Sequence, residues 1–345
     1  MENKSKTAYL ELLRTIACFF VIVNHTNSGI FLSRNPGDKT WWASLAYFFV
    51  CKAAVPVFLM ISGSLLLGKS DDLRKYAARI LRILLVIVAF SFLYYIKGRY
   101  QAGQPVRISE FFLIIYQHNI TNAYWYLYLY LGILVVLPLF QTLSVHMRKW
   151  EFQILLLVSV AGLGALPVLV RYVPDAACSY VFTEPFFAVY AGVFFLGYYL
   201  THYVELKKSY AVISAVLFVA VTVAEVLLTY HEYYVRPEDF LFLEDRTYLN
   251  VTLPAASLFY LARYCGSMVQ NERFWRVIKA VGGCSFGIYL FSDLFVDIYE
   301  QFYNDLSIRL HSLAAVLVYE ILIFGSGLAV TAVLKKIPYL KKLVS

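Results

Sequence analysis

The residues whose types and spacing suit chemistry begin in the stretch Tyr9–Ser28, YLELLRTIACFFVIVNHTNS. It has the ~20 residues that a bilayer-spanning helix requires, yet it carries Glu11, Arg14 and His25. An ionisable side chain at membrane depth is expensive, so its default reading is functional, with a partner or the bundle interior in front of it. Arg14 and His25 are eleven residues apart. At ~100° per residue the helix turns about 1100° between them, so both look the same way to within roughly 20°. Their backbones lie about 16 Å apart along the axis, roughly half the hydrocarbon thickness. One helix face therefore carries a fixed cation at one depth and a proton-transfer group at another. Glu11, one turn before Arg14, is placed to orient the guanidinium.

Further candidates lie along the chain, each with a bland alternative. In VPVFLMISGSLL, Val55–Leu66 and onward, Pro56 frees backbone groups, while Ser62 and Gly63 permit close approach of a ligand or of another helix. Arg79 and Arg82, three apart, can bind phosphates bidentately or serve orientation and lipid contact. Trp125, Tyr126, Tyr128 and Tyr130 suit an interfacial aromatic belt. Asp293 and Asp297, four apart, share a helix face directed at the interior or an aqueous vestibule. Between Thr229 and Thr247 the loop YHEYYVRPEDFLFLEDR is acidic and aromatic, a composition that fits either sugar contact or a membrane-interface belt. Glu225 and Glu320 lie in apolar stretches and require partners that the sequence does not identify. Cys18, Cys51, Cys178, Cys265 and Cys284 show no metal-like spacing and read as small packing residues. No phosphate-binding glycine loop and no internal repeat is found.

The elements that must position these groups follow from composition. With 61% hydrophobic and only 15% charged residues, and a mean hydropathy of +0.66, the chain is too apolar for a soluble domain. The expected fold is all-α and polytopic, with ten membrane spans in a single domain over 1–345. The spans are 8–28, 42–67, 77–97, 124–145, 152–170, 181–200, 209–229, 247–266, 281–301 and 312–334. The first apolar stretch is too long for a cleaved signal and is expected to remain. With the N-terminus inside, 19 basic residues fall on the cytoplasmic side and 9 on the other, which places both termini in the cytoplasm. The net charge of +8 then serves topology and contact with anionic membrane lipids, and nothing suggests nucleic acid.

ELLRTIACFFVIVNH resembles the first helix of the membrane acyltransferase 3 family, whose mark is an Arg, ten residues, then a His. The resemblance continues in VPVFLMISGSLL, the basic KYAARILRILL, WYLYLYLGILVVLP and SFGIYLFSD, in the family's order over nearly the whole chain. It implies transfer of an acyl group, usually acetyl, from cytoplasmic acyl-CoA to a hydroxyl of a cell-surface or exported carbohydrate. Acyl-CoA is then a co-substrate, with no bound cofactor and no metal, and the location is the bacterial cytoplasmic (plasma) membrane. His25 would act as general base or transient acyl carrier, and proton transfer by a positioned imidazole is worth ~10²–10⁴-fold. Arg14, oriented by Glu11, would hold the donor or its developing charge. Arg79, Arg82, Ser62 and Gly63 are the donor-side candidates; Trp125, Tyr126 and Asp293 are those for the acceptor. The family commonly has a His soon after GIYL, where this chain has FSD, which weakens a catalytic assignment to that helix. A fused periplasmic domain is not expected.

Two rivals come from other classes. A carrier or exporter of a lipid-linked or polymeric glycan would use Arg14 and His25 to line a path without covalent chemistry. Against it, no pair of interrupted helices is evident in corresponding halves. A membrane sensor, or a module serving a separate catalytic chain, is the third reading. The charge asymmetry makes topology directly testable. A reporter fused after Ser345 is expected to be active only in the cytoplasm, and periplasmic activity would contradict the assignment.

Overall fold

The computed structural model describes residues 7–185 and 188–344. Lys4 and Lys6, two of the 19 basic residues placed on the cytoplasmic side, and Ser345 lie outside the described residues, as do Phe186 and Phe187 of the expected sixth span. Among the described residues the chain is helical, without strands. Leaving aside the short helical turns, among them Ser28–Leu32 and Tyr180–Thr183, the helices are α1 (Ala8–Thr26), α2 (Lys39–Lys52), α3 (Ala54–Leu66), α4 (Leu73–Gln101), α5 (Ile108–Gln117), α6 (Trp125–His146), α7 (Lys149–Leu156) and α8 (Leu163–Tyr172). They continue with α9 (Val189–His202), α10 (Lys208–Val235), α11 (Leu249–Met268), α12 (Glu272–Gly282), α13 (Ser285–Arg309), α14 (Ser312–Leu334) and α15 (Pro338–Val344).

Among the described residues, seven helical stretches are long and apolar enough to cross a membrane: Ala8–Leu32, Lys39–Leu66, Leu73–Gln101, Asn122–His146, Lys149–Tyr172, Lys208–Val235 and Ser312–Leu334. The pair α12 and α13 makes an eighth if its two parts are one span, bent by 54° at Gly283 and Cys284. Two of the ten expected spans differ. The sixth contains α9, whose 14 residues reach only about 21 Å, short of the ~30 Å hydrocarbon core. The eighth corresponds to α11, which is long enough but carries Asn250, Thr252, Pro254 and Arg263, and buries Val251, Thr252, Ala255 and Phe259 inside the bundle. Both helices pack against protein, so their polarity follows from what covers them.

Local chemistry explains the starts and turns. Asp38 and Asp72 cap α2 and α4, each side chain accepting from a backbone N–H three residues on, Trp41 and Lys75, at 2.7 Å. The Lys75 backbone N–H, with its ammonium, holds the exposed Asp72 carboxyl below its ordinary range. Gly68, at φ +71°, makes the reversal between α3 and α4, and its N–H donates to Ser144 Oγ at 2.9 Å. Gln141 Nε2 completes that anchor with 2.9 and 3.0 Å bonds to Leu66 O and Asp71 Oδ2. The turn carrying Asp71 is thereby tied to the buried face of α6.

At the centre, α3 and α9 meet backbone to backbone. A Cβ on Gly63 would stand 1.7 Å from the Phe194 carbonyl oxygen, and one on Gly197 would stand 1.9 Å from that of Met60. Small residues permit such an approach in a membrane bundle, where dispersion rather than water exclusion holds helices together. The buried acids find their partners between helices. Glu320 of α14 accepts from Thr26 Oγ1 at 2.9 Å and Tyr47 OH at 2.7 Å, and Glu225 of α10 accepts from Asn250 Nδ2 at 2.8 Å. Glu320 thus ties the end of α1, one residue beyond His25, to α2.

The glycine contact generates a contrast. Gly63→Ala or Gly197→Ala forces a methyl into backbone and is expected to cost about 3 kcal/mol, the upper end for overpacking. Gly132→Ala, in open space on α6, is expected to be neutral or slightly stabilising. Thermal unfolding of the purified variants in detergent checks this; equal midpoints for Gly63→Ala and Gly132→Ala would contradict the packing.

Candidate functional site

α1 runs without interruption from Ala8 to Thr26, so the face shared by Arg14 and His25 is real, and both side chains line one cavity of about 450 Å³. That volume lies within the ~300–1,000 Å³ of small-molecule sites. α3 supplies Val55, Phe58 and Ser62; α4 supplies Arg79, Arg82 and Ile83; α6 supplies Trp125, Tyr126, Tyr130 and Leu134. The break between α12 and α13 contributes Gly282 and Gly283, and the first turn of α13 contributes Ser285 and Phe286.

One end is a cluster of cations. Tyr130 lies in the combined field of Arg14, Arg79 and Arg82, and its hydroxyl neighbours that of Ser62, which also meets Tyr126. Arg14 Nη1 donates to Glu11 Oε1 at 2.5 Å, the orienting contact expected from their spacing. Glu11 itself stands behind Arg14, packed on the broken helix, where a Cβ at Gly282 would lie 2.6 Å from its carbonyl oxygen. Arg79 is held by Asp71 at 3.1 Å, and its Nε is buried without a hydrogen-bond partner. The Arg82 guanidinium lies 5.6 Å from the centre of the Phe286 ring. Lys335 Nζ closes the helix break by donating to Gly283 O at 3.0 Å. The leading N–H groups of α13 lack intrahelical acceptors, which adds partial positive charge beside the guanidiniums.

The other end is built around His25. The charges that act on it are Asp293, Arg246 and Lys52. Asn24 Nδ2 donates to Cys51 O at 2.8 Å, which leaves its Oδ1 buried and unpartnered, an acceptor for an incoming O–H or N–H group. Tyr289, also on the cavity wall, donates to Ala123 O at 2.6 Å, and Tyr124 donates to Leu290 O at 2.8 Å. These two bonds pin the start of α6, and so Trp125, against α13.

The structure gathers Arg14, His25, Ser62, Arg79, Arg82, Trp125 and Tyr126 around one space. Gly63 lies off the cavity, in the helix contact with Phe194, the packing alternative for that position. Asp293 is also outside the lining; its Oδ2 accepts from Ala123 N at 3.3 Å, and its charge acts on His25 from there. Asp297 is paired with Lys97. Glu232, in the last turn of α10, and Asp239, in the loop that follows, pair with Arg171, and Glu244 of that loop pairs with Lys52 at 2.7 Å, so these three acids are engaged within the protein. Arg246 from that loop reaches the cavity and stacks on Trp125 at 4.6 Å. In the sequence Arg246 is one charge of an acidic loop and Asn24 carries no signal of its own; only the folded loop shows where Arg246 goes.

The family model described as an acyltransferase domain, acyltransferase 3, matches residues 7–336. No curated protein and no solved structure matches the chain.

Four guanidiniums and an imidazole line the cavity, and no carboxylate is among the described residues that line it. Such a field favours a polyanion. Calorimetry on purified protein is expected to show binding of coenzyme A that weakens as salt rises, and at least tenfold weaker in Arg79→Gln/Arg82→Gln. Arg74→Gln, exposed one turn earlier, is expected to bind as the parent does. Salt-independent binding, or equal loss in both variants, would contradict the electrostatic assignment.

Proposed function

Since the chain belongs to the acyltransferase 3 family of membrane proteins, we propose that it moves an acetyl group from cytoplasmic acetyl-CoA to a carbohydrate hydroxyl presented from the other side of the bacterial cytoplasmic membrane. The observation that carries this reading is the joining of a three-arginine cluster and His25 by a single cavity. Arg14, Arg79 and Arg82 match the phosphates of the donor with charge-assisted, bidentate contacts. The uncharged pantetheine arm then spans the ~16 Å of helix between Arg14 and His25 and delivers the thioester to the imidazole.

His25 accepts the proton of the acceptor hydroxyl as its oxygen attacks the thioester carbonyl. A carbon–oxygen bond forms, the tetrahedral intermediate collapses with cleavage of the carbon–sulfur bond, and the proton held on His25 passes to the departing sulfur to give CoA thiol. Asn24 Oδ1 can receive a hydrogen bond from the acceptor during the approach. Fixing donor and hydroxyl in one cavity replaces a bimolecular encounter, a large part of the barrier in solution. Glu11 acts through Arg14 and is a positioning residue.

The interrupted helix α12–α13 favours a carrier as the second reading, because broken helices in transporters place their free ends at the substrate. Purified protein given acetyl-CoA labelled in the acetyl group separates the two. Acyl transfer requires label on the acceptor and stoichiometric CoA thiol; glycan movement without CoA release would support the carrier.

The depth difference along α1 sets the kinetic expectation. Arg14→Lys keeps the charge but loses the planar fork, and is expected to raise the KM for acetyl-CoA about tenfold with a smaller effect on the acceptor KM. Equal losses for donor and acceptor would mean that Arg14 only holds the bundle together.

A further inference from the structure

The cation at the His25 end has no counterpart in the donor. Arg246 is half-buried, lines the cavity and stands over the Trp125 indole, its guanidinium carbon 4.6 Å from the ring centre, and among the described residues no hydrogen bond takes up its N–H groups. Its two acidic neighbours in the loop are bonded elsewhere. Glu244 is taken by Lys52 at 2.7 Å, and Asp245 Oδ1 accepts from Thr247 N and Oγ1 at 2.8 and 2.7 Å. Among the described residues Arg246 makes no salt bridge. The Lys52–Glu244 pair instead anchors the loop that carries Arg246, so the guanidinium is held at this wall by design of the loop. A partly desolvated cation without a partner is costly, and the cost is removed when an anion occupies the space before it.

The donor does not supply that anion. Its phosphates are met by the arginines around Tyr130, and the pantetheine arm that reaches His25 carries no charge. A neutral sugar is also poorly served. A neutral sugar offers no charge to the Arg246 guanidinium that covers a face of the Trp125 indole, and no carboxylate is among the described residues that line the cavity.

Resting on the acyl-transfer reading, we infer that Arg246 binds an anionic group, a carboxylate or a phosphate, borne by the acceptor close to the hydroxyl that is acylated. The acceptor is then an acidic glycan, held by a bidentate contact to Arg246 while His25 takes the proton of the neighbouring hydroxyl. Arg246 selects the acceptor, and Trp125 supports it from behind.

The test uses full-length protein in detergent, acetyl-CoA, and glycan extracted from a strain lacking this chain. Three forms are compared: untreated, carboxyl-reduced with carbodiimide and borohydride, and dephosphorylated with cold hydrofluoric acid. The parent protein is expected to lose at least tenfold in kcat/KM on one of the two neutralised forms, which identifies carboxylate or phosphate as the anion. Arg246→Gln is expected to raise the KM for untreated glycan at least tenfold, to keep the KM for acetyl-CoA within about twofold, and to stop distinguishing the forms. Arg246→Lys, which keeps the charge, is expected to recover part of the acceptor affinity and shows that the site remains folded. Equal use of all three forms by the parent overturns the inference, as does a fall in kcat without a change in acceptor KM in Arg246→Gln, which is the signature of an oxyanion contact. Failure of the parent to release CoA with any form would instead remove the acyl-transfer reading, and this inference with it.

Discussion

A charge inside a membrane protein must be paired or given a polar space, and that constraint organises this bundle. Three helix arginines, one loop arginine and a histidine meet inside the bundle, and the fold answers by opening a cavity around them and pairing other buried charges locally. Lys52 goes to Glu244, Arg171 to Glu232, and Glu320 to Thr26 and Tyr47. Among the described residues, the donors of Arg246, the Nε of Arg79 and the Asn24 carbonyl are left without partners at the cavity wall and mark where ligand groups complete the set. The close α3–α9 contact through Gly63 and Gly197 and the turn at Gly68 bring α3, α4 and α6 to the arginine end.

Much of this was legible in the chain. The eleven-residue interval between Arg14 and His25 dictates a shared helix face, because 3.6-residue periodicity is local and needs no tertiary knowledge. The contact of Glu11 with Arg14, one turn apart, follows for the same reason. Arg79, Arg82, Ser62, Trp125 and Tyr126 each carried a packing, lipid or belt alternative that sequence could not remove; the fold brings all five to the same space as Arg14 and His25. For Gly63 the packing alternative prevailed, since its missing side chain is filled by the Phe194 backbone.

The rest depended on long-range placement. Arg246 lies in a loop that reads as acidic, and only the pairing of that loop's carboxylates with Lys52 and Arg171 reveals that its arginine is the group turned to the cavity. The bend at Gly283 has a local signal in the Gly282–Gly283 pair, but a continuous apolar pattern across 281–301 masked it. The two spans that differ, containing α9 and α11, show why hydropathy overcounts or misjudges helices covered by protein: their composition answers to neighbouring helices as much as to lipid.

The account stands on His25 performing proton transfer within the cavity that holds the donor. The most direct measurement is single-turnover transfer of labelled acetyl from acetyl-CoA, at saturating donor, by purified His25→Ala compared with the parent, with coenzyme A affinity measured on the same samples. The account predicts that transfer falls by at least about a hundredfold while coenzyme A binding is retained. Near-normal transfer by His25→Ala, with the donor still bound, would contradict it.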